Sequence, residues 1–125
     1  MKLTKNFNLS EFECKSGEEI PNEVLENIIT LATSLQALRD EVKASITITS
    51  GYRSVNHNKK IGGAIGSQHI KGTAADIKVA GYTTKQVAEI IESLIDVGKM
   101  KQGGLGIYAS WIHYDVRGTK ARWVI

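Results

Sequence analysis

The chain has 125 residues, 42% of them apolar and 23% charged, a balance that suits one folded domain over residues 1–125 and excludes a disordered tail or two independent cores. No run approaches the roughly 18 apolar residues of a membrane helix, and the opening MKLTKNFNLSEFEC lacks the apolar centre of a secretory signal, so the chain is expected to be cytoplasmic until something else releases it. Sixteen basic against 13 acidic residues give a net charge of +3, a mild excess without a basic stripe interleaved with aromatics, which argues against a nucleic-acid partner.

In chain order, Ser10 and Glu13 have the spacing of a capping box, which predicts a short helical turn that packs Phe7, Leu9 or Phe12 inward. The lone Cys14 has no partner for an internal disulfide and reads as a small packing residue. From Pro21 to about Ala44, Val24, Ile28, Leu31, Leu35, Leu38 and Val42 recur at steps of four and three, the stripe of an amphipathic helix. Pro21 suits its first turn, where an N–H has no helical acceptor. SITITS then alternates, with Ile46 and Ile48 on one face of a strand that Gly51 ends.

The stretch from Tyr52 to Gln68 follows neither period and reads as a long functional loop with room for one helical turn. His57 within it is expected to be solvated. Ala74 to Val79 predicts a second strand whose Ala75, Ile77 and Val79 face the core and whose Asp76 faces away. Thr83 and Gln86 form a capping box before Val87, Ile90, Ile91, Leu94 and Ile95, a second amphipathic helix that closes near Gly98. GGLGIYASWIHYDVRG and ARWVI read as strands separated by turns. Within the first, Ile112, Tyr114 and Val116 share one face while His113, Asp115 and Arg117 share the other.

Chemistry concentrates in SQHIKGTAADI. His69 offers a nitrogen and Asp76 an oxygen, Gly72 permits a tight return between them, and His113 lies on a polar strand face able to approach both. Three nitrogen and oxygen ligands without a thiolate suit a hydrolytic zinc, which keeps one position for water, better than a structural one.

Ser67, His69, Gly72, Ala74 and Asp76 fit the pattern S-x-H-x-x-G-x-A-x-D, with SGYRS at 50–54 and IHYDVRG at 112–118 in matching order. In these motifs, in LSEF and in GGLGIY, the chain resembles the zinc D-Ala-D-Ala carboxypeptidases and related peptidoglycan peptidases, peptidase family M15, in the compact form common in bacteriophages and prophages. The resemblance implies an α+β fold shared with the Hedgehog signalling domain, a central, mostly antiparallel sheet packed by two main helices. It implies that His69, Asp76 and His113 bind Zn2+ and that Arg53 binds a substrate carboxylate or steadies the tetrahedral oxyanion, roles that suit a forked, permanently charged guanidinium. The partner it implies is a peptidoglycan stem peptide, cut beside a D-amino acid by a monomeric enzyme acting at the cell wall, as a phage or prophage endolysin would. Ser67 and Trp111 are candidate substrate contacts, although Trp111 also reads as core cover; Tyr108, Tyr114 and Trp123 are assigned to packing.

One position departs from the family. Many members carry an acid three residues before the second zinc histidine as general base, and here Ser110 stands there. Asp115, on the same strand face as His113, is the nearest substitute; it reads equally as a residue that orients a ligand or pairs with Arg117. The alternative to a peptidase is a zinc-containing, non-catalytic wall-binding or phage structural module.

Overall fold

The computed structural model describes all 125 residues. After a short 3₁₀ turn at Leu9–Phe12, the elements run α1 (Asn22–Val42), β1 (Ile46–Ser50), α2 (Val55–Lys60), a second 3₁₀ turn (Gln68–Lys71), β2 (Ala74–Val79), α3 (Thr84–Asp96), β3 (Gly104–Ile107), β4 (Ile112–Asp115) and β5 (Ala121–Val124). The five strands form one sheet in the order β1-β2-β4-β3-β5. Neighbours are antiparallel except β3 and β5, which run parallel. This is the α+β architecture expected from the sequence, with α1 and α3 as its two main helices.

The apolar stripe of α1 is the seam of the core. Ile28, Leu31, Leu35 and Leu38 are essentially without solvent contact and join Ile77, Ile91, Ile112 and Tyr114 in one cluster. Truncation of one such leucine to alanine costs about 2–5 kcal/mol. Lys43, in the left-handed conformation, ends α1, and Pro21 precedes the first helical residue as its cap rather than lying within the first turn. The Thr83–Gln86 capping box at the start of α3 is formed in full. At the N-terminus the box forms two residues earlier than its spacing suggested: Asn8 caps the turn and Glu11, not Glu13, closes it. Asn8 accepts from the Ser10 backbone while Glu11 reaches back to Asn8 N–H at 2.7 Å, a geometry Asn supports as well as Ser.

The segment read as a loop contains α2, a six-residue helix, VNHNKK, capped by Ser54. It carries no apolar stripe, because Asn58 is its one buried residue. No helix of the chain is long and apolar enough to cross a membrane.

The helices cover one face of the sheet and leave the other for polar side chains. β2 and β4 pair with Asp76 directly opposite His113, so strict alternation turns both toward the open face while Ala75, Ile77, Ile112 and Tyr114 turn to the core. β1 meets β2 through an irregularity between Ile48 and Ser50 that sets Ser50 opposite Asp76. A bulge beside a site re-aims the chain that follows it, here Gly51 to Ser54.

Candidate metal centre

His69, Asp76 and His113 converge on the open face of the sheet. Each offers one ligand atom, and these atoms lie within 4.8 Å of one another. His69 comes from the second 3₁₀ turn, where Ser67 Oγ accepts the His69 backbone N–H at 3.2 Å. Gly72 ends that turn at φ +74, and a side chain there would press on Val24 and Ile28 of α1. The return to β2 therefore needs glycine for its conformation and for its closeness to the helix. Asp76 follows on β2, and its cross-strand partner His113 completes the set.

The protonation of both imidazoles is directed from behind. Nδ1 of His69 faces the Gly51 carbonyl at 2.8 Å; since a carbonyl only accepts, the proton sits on Nδ1 and the Nε2 lone pair is free. His113 is reversed: Nε2 faces Asp115 Oδ2 at 2.7 Å, which keeps the proton there and frees Nδ1. The two freed nitrogens each lie 3.4 Å from the same oxygen, Asp76 Oδ1. That separation is long for a hydrogen bond, but tetrahedral ligands at about 2.0–2.1 Å from a zinc ion stand about 3.3–3.4 Å apart. The donor set fits a divalent ion in its two histidine–aspartate spacings, in its chemistry and in the orientation of its lone pairs.

Arg53 holds the other side of Asp76. Its Nη2 donates to Asp76 Oδ2 at 3.3 Å, its Nε to Ser50 Oγ at 3.0 Å and its Nη1 to Asn58 Oδ1 at 3.2 Å. Asn58 also donates to the Ala64 carbonyl and so ties Arg53 to the glycine-rich loop after α2. Burial alone would raise the Asp76 carboxyl, but in the ion-free protein the His113 and His69 rings, once protonated on the nitrogens that face it, donate to it and with their charge hold it well below the usual carboxylate range. Burial likewise disfavours the His113 imidazolium, yet Asp115 and Asp76 outweigh it and raise its pKa.

The general-base role weighed for Asp115 does not fit its position. The residue has no solvent exposure, and the His113 ring separates it from Asp76. Both its oxygens are occupied: besides His113, they accept from Gly104 N–H and from the backbone, Nε and Nη2 of Arg117. A base must reach the proton it abstracts, and this carboxylate is turned the other way. Ser110 lies exposed in the turn between β3 and β4, where Tyr108 N–H closes on the Trp111 carbonyl.

A cavity of about 600 Å³ opens over the cluster. Arg53, Ser67 and Trp111, the expected substrate contacts, all line it. So do Tyr108 and Trp123, in place of the packing role expected from their residue type. Tyr108 stacks on Trp111 with ring centroids 4.6 Å apart, and its hydroxyl accepts from Trp123 Nε1 at 3.0 Å. Tyr114 is buried as expected, its hydroxyl between Ser34 and the Lys101 carbonyl. His57 is in α2, outside the ligand cluster, and Cys14 is buried against Ser16 and Ser54. Asp76 is the one acid on the cavity wall.

A sheet in an α+β fold that presents two imidazoles and a carboxylate toward an open cavity, each imidazole fixed by a hydrogen bond from behind, defines a candidate divalent-ion site with room for a further ligand. The chain belongs to the peptidase M15 family, whose model matches residues 5–115. It is also similar to a Haemophilus influenzae protein named probable peptidoglycan L,D-endopeptidase MepK, with 37% identity over 79 residues, 58% of this chain and 39% of that one. The chain thus spans well under half the length of this curated relative.

Proposed function

We propose that the chain is a zinc-dependent peptidase that hydrolyses a bond adjacent to a D-amino acid in peptidoglycan stem peptides. The observation that carries this reading is the convergence of His69 Nε2, His113 Nδ1 and Asp76 Oδ1 beneath an open cavity in a member of the peptidase M15 family. The similarity to a protein named as a peptidoglycan endopeptidase supports the substrate class and favours an endopeptidase over a carboxypeptidase.

His69, Asp76 and His113 would hold the zinc ion, which would supply Lewis acidity toward a carbonyl or a water molecule. The chain's own groups orient the ligands, place charge and shape the cavity. The Gly51 carbonyl and Asp115 keep each histidine in its ligating tautomer. Arg53 fixes Asp76 and sets a permanent positive charge where negative charge develops on the scissile carbonyl. Trp111 and Tyr108 form a flat apolar wall on which a peptide backbone can lie. Ser67 holds the turn that carries His69.

A second reading, a zinc-bound module that grips the wall without cutting it, is favoured by one observation: no acid other than the ligand Asp76 lines the cavity. Incubation of purified peptidoglycan with zinc-loaded wild type and with His113→Ala, followed by mass analysis of released fragments, separates the two. A fragment released by wild type alone supports the peptidase and identifies its bond. Identical digests, with wild type retained on the sedimented wall, support the binding module.

A further inference from the structure

The cavity contains a second guanidinium with no role in the scheme above. Arg117 lies just beyond β4 and lines the cavity with Arg53. Its Nε and Nη2 fork onto the two oxygens of Asp115 at 2.9 and 2.7 Å. The Nη1 group donates to no atom of the protein, so three of the five N–H groups of the fork remain free. The side chain keeps 28% of its surface open.

This cation is mounted rather than loose. Its Cζ lies 5.7 Å from the centre of the Trp123 ring, which in turn lies 4.9 Å from the His113 ring. Beneath the pair is Gly104 of β3, where a Cβ would come within 2.2 Å of Asp115 Oδ2 and 2.8 Å of Arg117 Nη2. Gly106, two residues on, leaves the space that the Trp123 indole fills. The motif GGLG thus clears a floor on which Asp115, Arg117 and Trp123 are laid side by side next to a metal ligand.

Arg53 is differently placed. Each of its three nitrogens already has a protein acceptor, and its side chain is 14% exposed. Asp76 and Asp115 each have an arginine partner, so a divalent ion would leave the cavity with a net positive charge and no acid to cancel it. A preorganised fork with free N–H groups in such a field is a carboxylate receptor.

We infer that Arg117 is a specificity-determining contact for a free carboxylate that the substrate carries near its scissile bond. The inference rests on the stem-peptide reading for its substrate class. Two sources supply the same chemistry: the C-terminal carboxylate of the peptide, and the carboxylate of an acidic residue within the stem.

The test uses stem peptides in four forms, with the C-terminus free or amidated and the internal acid free or amidated. Their binding to the zinc-loaded protein is read by the fluorescence of Trp123 and Trp111, and kcat/KM is measured in parallel. Charge-assisted hydrogen bonds of this kind are worth about tenfold to a hundredfold in affinity. Wild type is expected to prefer one acid form over its amide by that factor, and the preferred form identifies which carboxylate is read. In Arg117→Gln the acid form weakens by the same factor while the amide form changes by less than about twofold, and Arg117→Lys, which keeps the charge without the fork, falls between. Equal binding of acids and amides by wild type overturns the inference, and so does an equal loss on all four peptides in Arg117→Gln, the signature of a residue that only supports Asp115. Binding does not require turnover: acid preference without cleavage keeps the contact and removes the peptidase reading, whereas cleavage without preference does the reverse.

Discussion

Replacement of Asp115 by asparagine keeps the shape of the side chain and changes what His113 can do. Oδ1 accepts three N–H groups, from Gly104 and from the backbone and Nε of Arg117, while Oδ2 accepts two, from His113 and Arg117 Nη2. The amide nitrogen meets fewer opposing donors at the Oδ2 position. There it donates to His113 Nε2, and the imidazole proton moves to Nδ1, the atom that faces Asp76 Oδ1 at 3.4 Å. A protonated Nδ1 cannot ligate. Loss of a partner behind a ligating histidine costs about 10- to 100-fold in metal affinity, and the lower end is expected if the tautomer reverts on binding. The ion-free fold loses about 3 kcal/mol, since hydrogen bonds to a charged, fully buried acid are worth about 1.5–3 kcal/mol each and the partly open Arg117 regains some from water. Zinc titration against a competing chelator, with urea unfolding of the ion-free protein, measures both. Zinc affinity within about twofold of wild type, together with loss of hydrolysis, would refute the orienting role and return Asp115 to that of a base.

In Gly106→Ala the new Cβ would lie 2.3 Å from Trp123 Nε1, and the rigid indole must move; a loss of about 1–3 kcal/mol and a shift in tryptophan emission are expected, and an unchanged emission maximum would count against the close packing. Tyr114→Phe removes a hydroxyl bonded to Ser34 and to the Lys101 carbonyl at 2.6 Å each; urea unfolding should show a loss of about 1–3 kcal/mol with zinc affinity unaltered, because the side chain faces the core and not the ion. The pH profile of the ion-free protein follows from three shifted groups. Asp76 and Asp115 are depressed, so their contribution is present above the unfolded value of about 3.9 and is lost as pH falls below it. His113 is raised, so its contribution is present below about 6.5 and is lost as pH rises through the folded value. Thermal unfolding of ion-free protein should show highest stability between about pH 4 and 6.5, with the alkaline decline abolished by zinc, which replaces the proton on His113; a decline that zinc leaves intact would contradict this.

The parts of the fold legible in the sequence are those in which burial is periodic. The α1 and α3 stripes and the alternation of β2 and β4 each have one apolar face, and that face sets the register that brings Asp76 opposite His113. The helix α2 has no such face, since what it buries is Asn58, held by Arg53 and by the loop after it. At the N-terminus, spacing does not separate Ser10 from Asn8, the residue that forms the cap, because both offer a capping oxygen and both have Glu three residues later. The cavity wall was least legible. Tyr108 and Trp123 resemble core aromatics by type, and only their meeting across two strands at Gly106 shows that they face the site. Arg117 shared the polar phase of His113 and Asp115 in the sequence, but its free N–H groups are a property of side-chain geometry that spacing does not carry.

The most direct test is the coordination of zinc itself. X-ray absorption on protein loaded with zinc and dialysed free of excess should give one ion per chain with two imidazole nitrogens and one carboxylate oxygen at about 2.0–2.2 Å, and His69→Ala should hold none after the same dialysis. A wild-type protein that retains no stoichiometric zinc, or an ion whose shell survives loss of His69, would contradict the account.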